Sequence, residues 1–464
     1  MSGHIETMAA FADEVKRTFR RVVLCGMGGS SLAPEVLART FGAAPGFPGL
    51  VVLDSTHPRA VTAAASDADL EHALFLMSSK SGTTLEVDCF LRYFWDRLGA
   101  RGAQFAAITD PATPLETLAA ERGFLRTFVA PADVGGRYSA LIHYGLVPAA
   151  LLGCDVRRLL GAAGRMAEAC GEGVPAGENP GAWLGAVLGE AALAGRNKVT
   201  FVASSGLASF ALWVEQLIAE STGKEGKGII PVAEGSLGAP EAYGADRLFV
   251  SLTLAGDDDA AGPRLDALAR AGHPVVRLSL GDRYDLGREF FRWEFATAIA
   301  SAILRVNAFD QPNVAESKQN TAAVLEQRAH TPAPTPATGA ELDRFVSAIA
   351  PNDYLAVLAY LPPTPDNDRQ LTQISAQLRD RTKAATTWAY GPRYLHSTGQ
   401  LHKGGPPIGH FLLVTDPASD DVAIPGLAFS FGRLAAAQAQ GDVIALRRRG
   451  RPTLECRGLP LLEG

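Results

Sequence analysis

Residues 78–86 read Ser-Ser-Lys-Ser-Gly-Thr-Thr-Leu-Glu, which places five hydroxyls and one ammonium within seven residues, between an apolar run and a helical pattern. Hydroxyls and free N–H groups at a helix start can cradle a phosphate without a metal. The order differs from a Walker A loop, which needs Gly-Lys-Ser/Thr. A Ser/Thr-rich helix cap is the competing reading. A second loop, residues 25–36, reads Cys-Gly-Met-Gly-Gly-Ser-Ser-Leu-Ala-Pro-Glu-Val and again joins a strand pattern to a helix. Gly26 and Gly28, followed by Asp54, imitate a dinucleotide fingerprint, but Ser31 stands where its third glycine belongs. Sugar-phosphate site, dinucleotide site and plain tight turn all remain open for this loop.

Further along, Asp133-Val-Gly-Gly-Arg-Tyr-Ser139 sets two glycines directly before Arg137, as a guanidinium held close to a ligand would require. A surface arginine in a loop would read the same way. In 213–224, Trp-Val-Glu-Gln-Leu-Ile-Ala-Glu-Ser-Thr-Gly-Lys, the apolar residues have helical spacing, and Gln216 and Glu220 lie four apart on a neighbouring face. Glu220 falls in the last turn before Gly223, where the helix dipole disfavours a carboxylate and inclines it towards a raised pKa. Such a group suits a general base; a solvated Glu paired with Lys224 or Lys227 is the alternative. Residues 309–319 (Phe-Asp-Gln-Pro-Asn-Val-Ala-Glu-Ser-Lys-Gln) offer Gln311 and Lys318, or simply a turn between helices. Residues 394–405 carry His396 and His402, six apart, without helical zinc spacing or a completing carboxylate or thiol. The basic run 447–451 reads as a solvated surface.

These loops need elements to hold them. Apolar runs at 21–25, 50–54, 73–79, 104–109 and 126–130 alternate with helical stretches, and so do those at 198–204, 247–254 and 274–280, with helices expected at 207–221 and 288–306. Continuous apolar strands alternating with helices mean parallel βαβ units that bind ligands beyond the strands' carboxyl ends. Residues 156–196 read as one or two linking helices. The stretch 330–339, His-Thr-Pro-Ala-Pro-Thr-Pro-Ala-Thr-Gly, is the best linker candidate. Beyond it, 353–361, 385–391 and 410–416 are strand-like. The expected domains are residues 1–155, 156–330 with the linking helices, and a smaller C-terminal α/β unit at 340–464.

Composition narrows the function classes. The 464 residues hold 43 basic and 49 acidic side chains, a net charge of −6, with 47% hydrophobic and 20% charged residues. That excludes a disordered polyelectrolyte and argues against nucleic acid as the partner, since phosphate backbones demand excess Lys and Arg. Five cysteines without a CxxC spacing read as reduced thiols of a cytoplasmic protein. Neither a signal peptide nor a membrane span is expected, the most apolar stretch (140–154) being too short and interrupted by His143, Gly145 and Pro148.

Taken in order, the motifs resemble the glucose-6-phosphate isomerase family. GMGGSSLAPE is similar to the family's GIGGSxLGP loop and SKSGTTLE to its SKTxTTxE loop; VGGRYS, QLIAESTGKEGKG and FDQPNVAESK are similar to further signatures, over roughly residues 20–330. The segment GPRYLHSTGQLHKGGP (391–406) also resembles the isomerase half of transaldolase–isomerase fusions. The resemblance implies an α/β fold with two sugar-isomerase (SIS, flavodoxin-like) domains of parallel sheets flanked by helices. It implies a sugar-phosphate substrate, a homodimer, and no cofactor, metal, nucleic acid or membrane partner. It assigns the phosphate to Gly29, Ser30, Ser79, Lys80, Ser81 and Thr84 with Gln311 nearby, and the sugar to Glu86 and Gln216. Glu220 would be the proton-transferring base, Arg137 would stabilise the enediolate, and Lys318 would assist ring opening. One departure matters. Where the family carries its ring-opening histidine, residues 235–247 contain none. The later segment containing His396 and His402 resembles the missing piece, with His396 as the better match. A dual phosphoglucose/phosphomannose isomerase, a non-catalytic sugar-phosphate sensor and a nicotinamide oxidoreductase are the rival readings.

Overall fold

The structure is a computed structural model that describes residues 2–64, 70–233, 237–258, 260–326, 337–416 and 420–459. The chain forms two compact units, one of Met1–Val174, Asp282–Glu294 and Asp421–Phe431, the other of Pro175–Gly281, Phe295–Asp420 and Gly432–Gly464.

In the first unit, β1 (Arg21–Gly26), β2 (Gly49–Leu53), β3 (Ala73–Ser78), β4 (Phe105–Thr109) and β5 (Arg126–Val129) form one sheet in the order β2-β1-β3-β4-β5, every pair parallel. The apolar runs of β1, β3 and β4 are continuous because both faces are covered: the side chains of Val22–Cys25 and Leu74–Met77 are fully buried. Phe75 stacks on Phe94 of the helix Leu85–Arg97 with ring centroids 4.3 Å apart, fixing that helix against the sheet. The strand order reverses between β1 and β3, the position at which doubly wound sheets open a crevice for ligands. The loops that leave β1 and β3 are the glycine loop and the hydroxyl-rich loop.

The second unit contains two sheets. One has β6 (Lys198–Ala203), β7 (Ile230–Val232), β8 (Arg247–Leu254) and β9 (Val275–Leu280) in the order β7-β6-β8-β9. The other has β10 (Tyr354–Tyr360), β11 (Ala385–Tyr390), β12 (Gly409–Thr415) and β13 (Thr453–Arg457) in the order β11-β10-β12-β13. All pairs are parallel, so the C-terminal sheet repeats the winding of the second. The two sheets share a core in which Ile230 and Val232 of β7 and Ala219 join Tyr354, Tyr360, Leu401 and Phe411.

The linking region folds as two helices, Val156–Ala169 and Pro180–Leu193, capped by the side chains of Asp155 and Asn179. Most of the linker candidate, 330–336, lies outside the described residues; after it, Thr338 and Glu341 form a capping box that starts the helix Gly339–Ser347. The basic run is only partly a solvated face. Arg451 is buried and donates to the carbonyls of Gly405 (2.7 Å) and Pro406 (3.0 Å), while Arg449 pairs with Glu316. All five cysteines are free thiols. No helix among the described residues is long and apolar enough to cross a membrane.

Candidate active site

In the first unit the two loops at the carboxyl ends of β1 and β3 bring together most of the phosphate candidates. Gly28–Ser30 form a short 3-10 turn with Gly29 and Ser30 buried. A second such turn, Gly136–Tyr138, is packed against it so closely that a Cβ on Gly29 would lie 2.0 Å from the Gly136 carbonyl oxygen. Ser139 Oγ seals the contact by donating to the carbonyls of Gly136 (2.6 Å) and Gly29 (3.3 Å). The buried Arg137 is thereby fixed beside the glycine loop. The dinucleotide imitation dissolves here, because the buried carboxylate of Asp54 takes a hydrogen bond from Ser31 Oγ at 3.2 Å.

The hydroxyl-rich loop is held by its own side chains. Ser79 Oγ and Thr84 Oγ1 are 2.9 Å apart, Ser81 Oγ accepts from Thr83 Oγ1 (3.0 Å), and Gly82 adopts φ +65°, a left-handed conformation that a side chain would strain. Thr84 is the N-cap residue of the helix Leu85–Arg97, whose first turn holds the buried Glu86. Lys80 is committed: its ammonium pairs with Asp110 and donates to the Ala132 carbonyl (3.3 Å), and Asp110 also accepts from Tyr144 (2.9 Å). Asp110 was not legible as a site neighbour, since it lies thirty residues beyond Lys80 at the end of another strand.

In the second unit, the helix Phe210–Thr222 is buried on every side, Leu212 alone being half-buried, so Gln216 and Glu220 lie in the interior together with the expected stripe of Phe210, Trp213, Val214, Leu217 and Ile218. Gln216 Nε2 donates to Glu220 Oε2 at 3.1 Å and to the His396 carbonyl at 2.8 Å. The loop leaving β11 thus meets the helix at Gln216, one turn before the carboxylate. Neither expected partner lysine is spare. Buried Lys224 binds Asp310 Oδ1 (2.6 Å) and the Asn307 carbonyl, and Lys227 donates to the Leu304 carbonyl (3.1 Å).

The displaced segment is keyed in by contacts that no motif announced. A Cβ on Gly223 would come within 2.5 Å of Leu401 Cα, so a glycine at the end of the Glu220 helix admits the helix Gly399–Gly404. Gln400, fully buried, donates to the Gly223 carbonyl (3.0 Å) and to Asn313 Oδ1 (2.8 Å), and accepts from Asn313 N (2.9 Å). Asn313 precedes the helix Val314–Leu325, on which Lys318 is exposed; Gln311 is exposed just before it. His396 is half-buried. His402 is not placed alike: it sits in the core, its ring 5.0 Å from that of Phe411 and 6.2 Å from that of Tyr354, and burial lowers its pKa to about 3. Beside it, fully buried Lys403 and Asp442 pair at 2.7 Å, and Asp442 also accepts from Ser317 (2.9 Å) and Tyr394 (3.0 Å). No cluster of three or more potential metal-binding His, Cys, Asp or Glu residues occurs among the described residues.

Parallel doubly wound sheets with a hydroxyl-lined loop at the first switch point form an arrangement suited to holding a phosphorylated ligand. Residues 4–230 match the family described as Phosphoglucose isomerase. A glucose-6-phosphate isomerase from Rubrobacter xylanophilus is 30% identical over 386 residues, which cover 69% of this chain and 86% of that protein. One from Trichormus variabilis is 28% identical over 379 residues, 69% of this chain and 71% of its own. Among solved structures, a hypothetical protein from Thermus thermophilus aligns with a TM-score of 0.61 at 25% identity, covering 71% of this chain and 88% of that one. A glucose-6-phosphate isomerase from Chlamydia trachomatis aligns at 0.59 and 18% identity over 71% and 74%, a likeness of fold. The chain belongs to the glucose-6-phosphate isomerase family, whose members are aldose–ketose isomerases.

Proposed function

We propose that the protein interconverts glucose 6-phosphate and fructose 6-phosphate through ring opening, a cis-enediol intermediate and reclosure, with no cofactor or metal. The observation that carries this reading is the Gln216 amide, which holds the Glu220 carboxylate and the His396 carbonyl at hydrogen-bond distance in one buried place. A base must be aimed as well as basic, and an amide fixed at both ends aims it.

Glu220 removes the C2 proton of the open-chain aldose and returns it to C1, while the hydroxyl proton moves between the two oxygens. Arg137 meets the negative charge that develops on the enediolate; a buried cation fixed before the reaction needs no reorganisation when that charge appears. Ser30, Ser79, Ser81 and Thr84 hold the phosphate with Gly29 allowing close approach; Lys80, already paired with Asp110, and Gln311 are assigned to the same phosphate. Glu86 and Gln216 line the sugar. Lys318 and His396 open the ring, His396 in preference to His402, whose burial keeps it from substrate.

The same proposal includes a homodimer of 48.8 kDa chains and a cytoplasmic setting, which the five free thiols suit. A coupled assay on glucose 6-phosphate, fructose 6-phosphate and mannose 6-phosphate with a chelator present tests the activity. Turnover of the first two is expected; turnover of none, or only without the chelator, contradicts it.

A further inference from the structure

A small cavity lies within the second unit, where the sheet of β6–β9 meets the C-terminal sheet. Its lining includes Thr200 of β6, Arg247 at the start of β8, Tyr243 before it, Ser375 and Arg379 on the helix Pro365–Thr382, and Thr386 of β11. Two guanidiniums and several hydroxyls line it, and no carboxylate does so among the described residues. None of these residues belongs to the machinery proposed above.

Arg247 is the anomaly. It is 1% exposed, yet its two hydrogen bonds, to Thr200 Oγ1 and to the Lys383 carbonyl, are both 3.5 Å long. Its Nε makes no hydrogen bond, and its ion-pair partner Asp246 holds it at 3.6 Å. The other Asp246 oxygen is bound to Lys198 at 2.9 Å, so that carboxylate is shared between two cations. Burying a charge with so few partners is costly, and desolvation pulls the guanidinium down to about 10. Arg379, on the helix Pro365–Thr382, is 8% exposed and is paired with Asp380 through Nη2 (2.8 Å) and Nε (2.9 Å). Both guanidinium carbons lie near the Tyr243 ring, 5.5 and 5.4 Å from its centroid.

The cavity volume is about 20 Å³, where one water needs roughly 10–15 Å³ on the same measure. That space suits a small ion and is too small for a nucleotide or a sugar. We propose that this cavity is a binding site for a small oxyanion of the inorganic phosphate type, which bridges Arg247 and Arg379 and ties the C-terminal sheet to the second sheet. Guanidiniums bind such ions through charge-assisted, often paired, hydrogen bonds, and the threonine and serine hydroxyls supply further donors. Fixing the two sheets together is the service such an ion performs.

The test uses the full chain with the isomerase site saturated by an equilibrium mixture of glucose 6-phosphate and fructose 6-phosphate. Inorganic phosphate is titrated against potassium chloride of matched ionic strength, and thermal unfolding is followed. A ligand that binds only the folded state raises the midpoint in a saturable way. The wild type is expected to gain stability with phosphate and not with chloride. Arg379→Gln should weaken the response by roughly tenfold or more, and the milder Thr386→Val should weaken it less, keeping the test valid if the arginine variant folds poorly. A wild type indifferent to phosphate, a chloride response of equal size, or variants that respond like wild type would each overturn the site. The binding readout needs no turnover, so its failure is distinguishable from failure of the isomerase reading.

Discussion

Oε1 of Gln400 accepts the backbone N–H of Asn313 at 2.9 Å, fastening the segment of His396 to the start of the helix that carries Lys318. The same side chain donates to the carbonyl of Gly223, three residues past Glu220. One buried amide therefore registers three pieces of chain that bear candidate site residues. Gln400→Leu strips partners from Asn313 and Gly223, at about 1–3 kcal/mol for each buried group left unsatisfied. Urea unfolding should show that loss, and steady-state kinetics should show kcat falling more than KM rises.

Gly29→Ala is expected to act on the other unit. Its methyl would meet the Gly136 oxygen at 2.0 Å, so the glycine loop and the turn of Arg137 must separate. A displacement near 1 Å at a positioned group costs up to about a hundredfold in rate. The measurement is kcat/KM for fructose 6-phosphate; an unchanged value would mean that Arg137 does not need this seat.

The two histidines should separate cleanly. His396→Asn slows turnover of the cyclic sugar, whereas His402→Gln acts on stability. His402 has a folded pKa of about 3 against an ordinary value of 6.5, so between those limits the unfolded chain binds more protons than the folded one. Its contribution is present above pH 6.5 and is lost as pH falls towards 3, at about 1.4 kcal/mol per pH unit at most. Unfolding measured between pH 7 and pH 5 should have a shallower pH slope in His402→Gln than in wild type.

Asp442→Asn leaves the Lys403 ammonium buried and poorly compensated. Breaking such a pair from one side costs about 3–5 kcal/mol. The double variant Lys403→Met with Asp442→Leu should recover much of that loss, and a double-mutant cycle by urea unfolding checks both figures.

Much of this arrangement was legible because its physics is local. β1, β3 and β8 are runs of apolar residues that only a sheet covered on both faces buries, and Gln216 with Glu220 shares a face by helical spacing alone. β7 is only three residues long with Pro231 in the middle, and β13 is an edge strand with mixed side chains, so neither has a periodic signal. What joins His396 to Gln216 spans 180 residues of sequence and depends on two helices approaching at Gly223. Spacing along the chain carries no trace of such a contact. Arg451 misleads for the same reason: it looks like part of a basic surface and is spent on the carbonyls of Gly405 and Pro406.

The base assignment is open to the most direct measurement. Glu220→Gln keeps the shape of the side chain and the contact with Gln216 while removing the basic oxygen. With fructose 6-phosphate in deuterated water, the wild type should exchange carbon-bound hydrogen as it isomerises. The variant should bind the sugar phosphate with little change and lose turnover and exchange together, by roughly 10²–10⁴-fold or more. A variant that still isomerises and exchanges at the wild-type rate would show that the proton is carried by another group.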